Sequence, residues 1–125
     1  MSKEAYVTIE TAKLLKEHGF EWECNRYYYD GEYYFVTISD NWNDDTGLVS
    51  IPTHQMALAW LREVHNKHCD IGYDVDSNWF FQIIDLKETV ECHYTEAKCY
   101  HVETEFNTYE EAVEAACLWA LENLI

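Results

Sequence analysis

The stretch from Ile51 to His68 carries the clearest helical pattern in the first half of the chain. Thr53 is a suitable N-cap residue, and Pro52 directly before it fixes the direction in which the backbone enters the helix. Apolar residues then follow at spacings of three and four, which predicts one buried stripe on the helix. The members of this stripe are Ala57, Trp60, Leu61 and Val64.

Two further helices are predicted near the ends of the chain. Thr8 is a candidate N-cap for the first, and Gly19 is a stop signal after which Phe20 packs back onto the last turn. Thr108 and Glu111 have the spacing of a capping box and open the last helix. The residues expected to face the core are Ile9, Ala12 and Leu15 in the first helix and Tyr109, Val113, Ala116, Ala120 and Leu124 in the last.

Strand patterns fill the intervals between these helices. Asp30-Gly31 is a two-residue hairpin signal, and it separates strand-like residues 21–29 from residues 32–38. The tyrosines and phenylalanine of these strands populate both faces of the ribbon, so one face is expected to be exposed unless a loop or a partner covers it.

A second hairpin is predicted after the central helix, with strands at 70–75 and 79–86 and a turn at 76–78. Residues 88–105 alternate irregularly, which predicts one or two more strands around a turn near 95–98. The resulting order, α-ββ-α-ββ(β)-α, predicts an α+β fold in which an antiparallel sheet packs against helices. We expect residues 1–125 to form a single domain.

Negative charge and aromatic residues dominate the composition. Ten tyrosines, five tryptophans and five phenylalanines favour a folded chain. Twenty-four acidic against eight basic residues give a net charge of −16, which argues against direct binding of nucleic acid or of an anionic membrane and favours a basic partner. The sequence also lacks a signal peptide and a membrane-spanning apolar run, so we expect a cytoplasmic protein.

The candidate metal ligands have no recognised spacing. The five cysteines are odd in number, so we expect reduced, buried thiols rather than a disulfide framework. The acidic loop at 39–47 lacks the glycine and glutamate of a calcium loop, and we expect Asx turns there with Trp42 against the core. No metal or cofactor is therefore predicted, although zinc ligands are present in the set His65, His68, Cys69, Cys92, His93, Cys99 and His101.

Several segments together resemble a group of small uncharacterised proteins encoded by phages and mobile elements of gut Bacteroides-type bacteria. The resemblance implies a phage or prophage setting and brings no catalytic residues with it. It rests on residues 8–19, Trp42-Asn43-Asp44, Pro52-Thr53 leading to residues 59–65, and residues 108–116.

The sequence contains no glycine-rich phosphate loop and no nucleophile elbow, so we do not expect an enzyme. The first hypothesis is an acidic accessory protein that binds a basic host protein, as an inhibitor, a counter-defence factor or a nucleic-acid mimic. A structural or oligomeric domain, including a homodimer, is a further alternative. The second hypothesis is a protein that sequesters a small molecule or nucleotide signal, with Tyr27, Tyr29, Tyr33 and Trp42 stacking and Arg62 contacting phosphate.

Overall fold

The computed structural model describes residues 5–86 and 98–125. These residues form two three-stranded antiparallel sheets and three helices, which confirms the predicted α+β fold. The strand orders are β2-β1-β3 and β4-β5-β6. In chain order the elements are α1 (Ile9–Glu17), β1 (Cys24–Tyr29), β2 (Glu32–Asp40), a short 3₁₀ helix (Trp42–Asp44), β3 (Val49–Ser50), α2 (His54–His65), β4 (Lys67–Asp74), β5 (Asn78–Asp85), β6 (Lys98–Phe106) and α3 (Tyr109–Asn123).

All three helices begin at the predicted threonine caps. The hydroxyl oxygens of Thr8, Thr53 and Thr108 accept hydrogen bonds from backbone N–H groups three residues further on, at 3.3, 3.1 and 3.1 Å. Each bond satisfies one of the N–H groups that a helix start leaves without an intrahelical acceptor. After α1, Gly19 adopts a φ of +87°, and Phe20 is buried against the core as expected.

The end of α2 differs from the prediction. The helix stops at His65 because Asn66 takes a left-handed conformation, and His68 lies in β4, paired with Ile84 of β5. Val64 is 49% exposed, so its place in the buried stripe was wrong. On the helical wheel Val64 lies between Ala57 and Trp60, but it is in the last turn of α2, after Leu61, where the buried face of the helix ends.

The hairpin between β1 and β2 has the predicted two-residue turn. Asp30 and Gly31 have φ values of 48° and 84°, as a type I′ turn requires. Pairing is regular up to Arg26 and Phe35, but the next pair joins Cys24 to Asp40. β2 therefore places residues 36–39 opposite a single residue of β1, and it bulges outward there.

The second hairpin is also present, with its turn one residue earlier than predicted, between Asp74 and Asn78. β6 pairs with β5 and lies within the region where further strands were expected. Residues 87–97 are outside the described part of the chain, and so is most of the turn predicted near 95–98.

The three helices and the sheet β4-β5-β6 share one hydrophobic core. Phe20 packs edge-on against Trp60, with ring centroids 5.5 Å apart. Leu15, Leu61 and Phe81 are almost wholly buried, one from each of α1, α2 and β5. No helix in the described part of the chain is long and apolar enough to cross a membrane.

Gly72 on β4 provides a test of packing in this sheet. It pairs with Phe80, whose ring lies where a side chain would be, so an added Cβ would be 2.5 Å from the ring. Gly72→Ala should therefore lower the free energy of unfolding by about 1 kcal/mol, measured by urea denaturation. Gly47→Ala is the matched control, because its Cβ would meet only ordinary contacts, and an equal effect of the two substitutions would contradict this packing.

Candidate functional site

Among the described residues, the hairpin β1–β2 carries the largest group of exposed hydrophobic side chains near one another in the sequence. In β2 only Val36 is partly buried, whereas Phe35 is 63% and Ile38 is 75% exposed. Apolar clusters of this kind mark interaction sites more often than isolated surface hydrophobics do. Consecutive residues of β2 face opposite sides, so this set spans both faces of the hairpin. We call it the hairpin surface, and it consists of Tyr29, Tyr33, Tyr34, Phe35 and Ile38.

On one side of the hairpin, Tyr27 contacts two other aromatic side chains. Its ring stacks on Tyr34 across the strand pair, with centroids 5.2 Å apart, and lies 4.8 Å from Trp42. The indole N–H of Trp42 donates to the Cys24 carbonyl at 2.7 Å, and its backbone N–H donates to the Ser50 hydroxyl at 3.1 Å. Trp42 is thus fixed against β1 and β3, and it packs on the core as predicted.

The other side of the hairpin holds Arg26. Its guanidinium carbon lies 4.7, 4.5 and 5.1 Å from the ring centroids of Tyr6, Tyr33 and Phe35. Such cation–π contacts stabilise the charge without a carboxylate partner. The Nε of Arg26 is buried and has no hydrogen-bond partner among the described residues.

The five residues proposed for ligand stacking and phosphate contact do not form one group. Tyr27 and Trp42 are in contact, and Tyr29 lies two residues along the same strand. Tyr33 lies on the opposite side, with Arg26. Arg62 is exposed on α2, and no hydrogen bond or ring contact joins it to these aromatic residues in the part of the chain that the structure describes.

Arg26 is therefore the arginine among the aromatic side chains, and the sequence analysis missed it. A signal was present in the hairpin itself. Counting pairs outward from the Asp30-Gly31 turn places Arg26 opposite Phe35 and Tyr28 opposite Tyr33, which puts all four on one side.

A groove runs beside the bulged half of β2. It has a volume of about 630 Å³, within the range of ligand sites, and it is open to solvent. Its walls combine apolar side chains with a single carboxylate. We call it the Trp42 groove, and its lining residues are Phe35, Val36, Thr37, Ile38, Asp40 and Trp42.

The surroundings of the hairpin are strongly acidic. Residues 21–50 include seven acids (Glu21, Glu23, Asp30, Glu32, Asp40, Asp44 and Asp45) and one base, Arg26. The pKa of the Tyr34 phenol is raised, first by desolvation and then by the negative charge and hydrogen bonding of Glu32 and by the charge of Asp30. A partner of this surface thus meets apolar side chains surrounded by negative charge.

The loop after β2 forms the Asx turns that the sequence predicted. The side chain of Asn41 accepts from Asn43 N–H at 3.1 Å, and that of Asp45 accepts from Gly47 N–H at 2.8 Å. The ammonium group of Lys16 lies among three loop carbonyls, with Nζ 2.9 Å from Asp45 O and 2.6 Å from Leu48 O. A lysine thus provides the positive charge that these carbonyls attract.

A second polar cluster ties the three helices together through Glu114 of α3. Its Oε1 accepts from His54 Nε2 of α2 at 2.9 Å. Its Oε2 accepts from the hydroxyls of Thr8, at 2.9 Å, and Thr11, both at the start of α1. Burial alone raises the pKa of Glu114, but the hydrogen bonds from His54, Thr11 and Thr8 together lower it.

The geometry of the Glu114 cluster is that of a hydrogen-bond network that stabilises the fold. Neither threonine hydroxyl donates to the imidazole within the described residues, and both contact the carboxylate oxygen opposite to the one that His54 contacts. A carboxylate whose pKa is lowered is a weak general base. We therefore assign the cluster a role in holding α1, α2 and α3 together.

The described cysteines are reduced, and three of the four are buried. Burial raises the pKa of Cys24 and of Cys69 to about 12 and that of Cys117 well above its ordinary value, so these thiols are poor nucleophiles. Cys99 is exposed. The described residues hold no group of three or more metal-ligating side chains, and Cys92 and His93 lie outside them.

Comparison of the chain with known proteins finds no matching family model, no matching curated protein and no matching solved structure.

Proposed function

We propose that this is a non-enzymatic binding protein that docks on a basic protein through the hairpin surface. One observation carries the proposal: β2 presents Phe35 and Ile38 to solvent within a segment, residues 21–50, that has seven acids and one base. Apolar side chains at the centre and charges around them are the arrangement of protein interfaces. The charge speeds association with a positive partner, and the burial of the apolar centre holds the complex together.

The resemblance to phage and mobile-element proteins supports a bacterial host protein as the partner. A counter-defence factor or an inhibitor of a nucleic-acid-binding protein meets a target whose functional surface is basic, since that surface binds phosphate. An acidic protein competes for such a surface by offering carboxylates in place of phosphates. The hairpin surface adds an apolar contact that nucleic acid lacks, which favours the protein over the natural ligand.

Affinity capture from a lysate of a Bacteroides-type host tests this function. We expect wild-type protein to retain a basic protein at low salt and to release most of it at high salt. The double variant Phe35→Ser/Ile38→Ser should lose at least about nine-tenths of the captured protein, because each substitution removes a large exposed contact.

Val75→Ser/Val102→Ser is the matched control. These two valines are also exposed, but they belong to the hairpin turn after β4 and to β6 of the other sheet. The control variant should capture as the wild type does. Equal capture by all three proteins, or a complex indifferent to salt, would contradict docking by the hairpin surface.

A further inference from the structure

We propose that β2 accepts an extended basic segment of a partner protein as an additional strand along its free edge, with a lysine or arginine of that segment in the Trp42 groove. The inference rests on the proposed function and specifies how the partner binds and which chemistry it presents. It follows from three features of β2: an unpaired edge, a concentration of acidic charge, and a groove that combines apolar walls with a carboxylate.

The edge is the first feature. Within residues 5–86 and 98–125, β2 pairs with β1 alone, so the backbone N–H and C=O groups on its outer side have no strand neighbour. Natural edge strands are commonly protected by proline, by lysine, by short length or by a bulge, and the bulge of β2 at residues 36–39 leaves residues 32–35 as its regular part. β2 has nine residues, and its centre, from Tyr33 to Ile38, contains neither proline nor a charged residue. An added strand would satisfy these backbone groups and cover the apolar side chains together.

The charge distinguishes between the two classes of strand that such an edge accepts. A second copy of this chain would bring an identical acidic hairpin to the edge, and each chain carries a net charge of −16. Like charges placed together across an interface oppose association, whereas a basic segment is attracted. We therefore assign the edge to a positively charged partner rather than to a homodimer.

The groove identifies a feature of that partner. Phe35, Ile38 and Trp42 provide apolar walls, and Asp40 provides the carboxylate. Lysine and arginine have apolar stems and charged heads, so a single such side chain matches both parts of the groove. One oxygen of Asp40 accepts from Asn41 N–H at 2.7 Å, and the second has no partner in the described part of the chain.

An eight-residue peptide of alternating lysine and valine is the probe for strand addition. It is titrated against the full chain in three forms: unmodified, N-methylated at every lysine, and N-methylated at every valine. In an added strand, the N–H groups of one residue set face β2 and those of the other set face away. N-methylation of one set should therefore weaken binding about tenfold or more, while methylation of the other set changes it little.

Equal effects of the two methylation patterns would overturn strand addition. Suppose that the two methylation patterns had equal effects, that the unmodified peptide bound, and that Phe35→Ser/Ile38→Ser abolished this binding. Docking on the hairpin surface would then stand, and strand addition would be ruled out. Failure of the unmodified peptide to bind would also overturn strand addition, because the backbone groups of residues 32–35 on the outer side of β2 have no strand neighbour among the described residues and must accept it. The capture experiment tests the proposed function separately and needs no peptide.

Two protein measurements complete the test. Asp40→Asn should weaken peptide binding several-fold, whereas Glu63→Gln, the same change in charge on the exposed side of α2, should have a small effect. Equal losses would overturn the placement of a cation in the groove. Sedimentation of the protein alone should show a monomer, and a dimer that Ile38→Ser dissociates would assign the edge to a second copy instead.

Discussion

Glu114→Ala should lower the free energy of unfolding by about 3 kcal/mol, measured by urea denaturation at neutral pH. The carboxylate accepts hydrogen bonds from Thr8, Thr11 and His54, and its removal leaves donors of α1 and α2 without an acceptor. The His54 ring is almost fully buried, so water cannot replace the lost partner cheaply. Glu122→Ala, at an exposed position near the end of α3, is the control and should change stability little.

The same contacts predict how this contribution depends on pH. Because folding lowers the pKa of Glu114, the stabilisation is fully present above the pKa that the residue has in the unfolded chain. It is lost as the pH falls through the lower pKa of the folded state. The stability difference between wild type and Glu114→Ala should therefore shrink in acid. A difference that stayed constant into acid would show that the charge of Glu114 contributes nothing.

The parts of the fold that the sequence predicted correctly depend on neighbouring residues. Thr8, Thr53 and Thr108 bond to N–H groups three residues away, and the Asp30-Gly31 turn needs only two left-handed residues. Such signals act within one turn of helix or one tight turn of chain. Their effect does not depend on what packs against them, so the sequence alone is enough to read them.

Features that join distant residues were beyond these patterns. Glu114 is 106 residues from Thr8 and 60 residues from His54 in the sequence. No sequence pattern around these residues predicts that they are in contact. The selection of Arg62 as the arginine near the aromatic side chains had the same weakness. Arg62 was chosen because it is an arginine, with no evidence that α2 lies near the hairpin. The strand register identifies Arg26 instead.

The separation of the strands into two sheets also depends on contacts between distant residues, which local sequence patterns do not show. The alternating patterns identify β1, β2, β4 and β5 as strands, and the two hairpin turns pair them locally. Whether the two hairpins form one sheet depends on the segment of chain between them. In this protein that segment contains β3, which pairs with β1 before the chain enters α2. The result leaves β2 as an edge, which is the feature on which the proposed binding mode depends.

Trp42→Ala should lower the free energy of unfolding by about 2–3 kcal/mol, a cost typical of truncating a partly buried aromatic side chain. It removes the contact with Tyr27 and the hydrogen bond to the Cys24 carbonyl, which together hold the loop after β2 against β1. Thermal and urea unfolding measure the loss. Because Trp42 also forms a wall of the groove, binding of the lysine–valine peptide should weaken at temperatures where the variant is still folded.

Trp42→Phe separates the two roles of this residue. Phenylalanine keeps an aromatic wall and the packing on Tyr27 but cannot donate to the Cys24 carbonyl, so we expect a loss of about 1 kcal/mol in stability and nearly unchanged peptide binding. If Trp42→Phe weakened binding as much as Trp42→Ala did, binding would require the position of the loop that the hydrogen bond to the Cys24 carbonyl fixes, and not only an aromatic wall. Trp42 thus contributes both to the stability of the hairpin and to the proposed binding of a partner, since it holds the bulged end of β2 in place and also forms a wall of the groove.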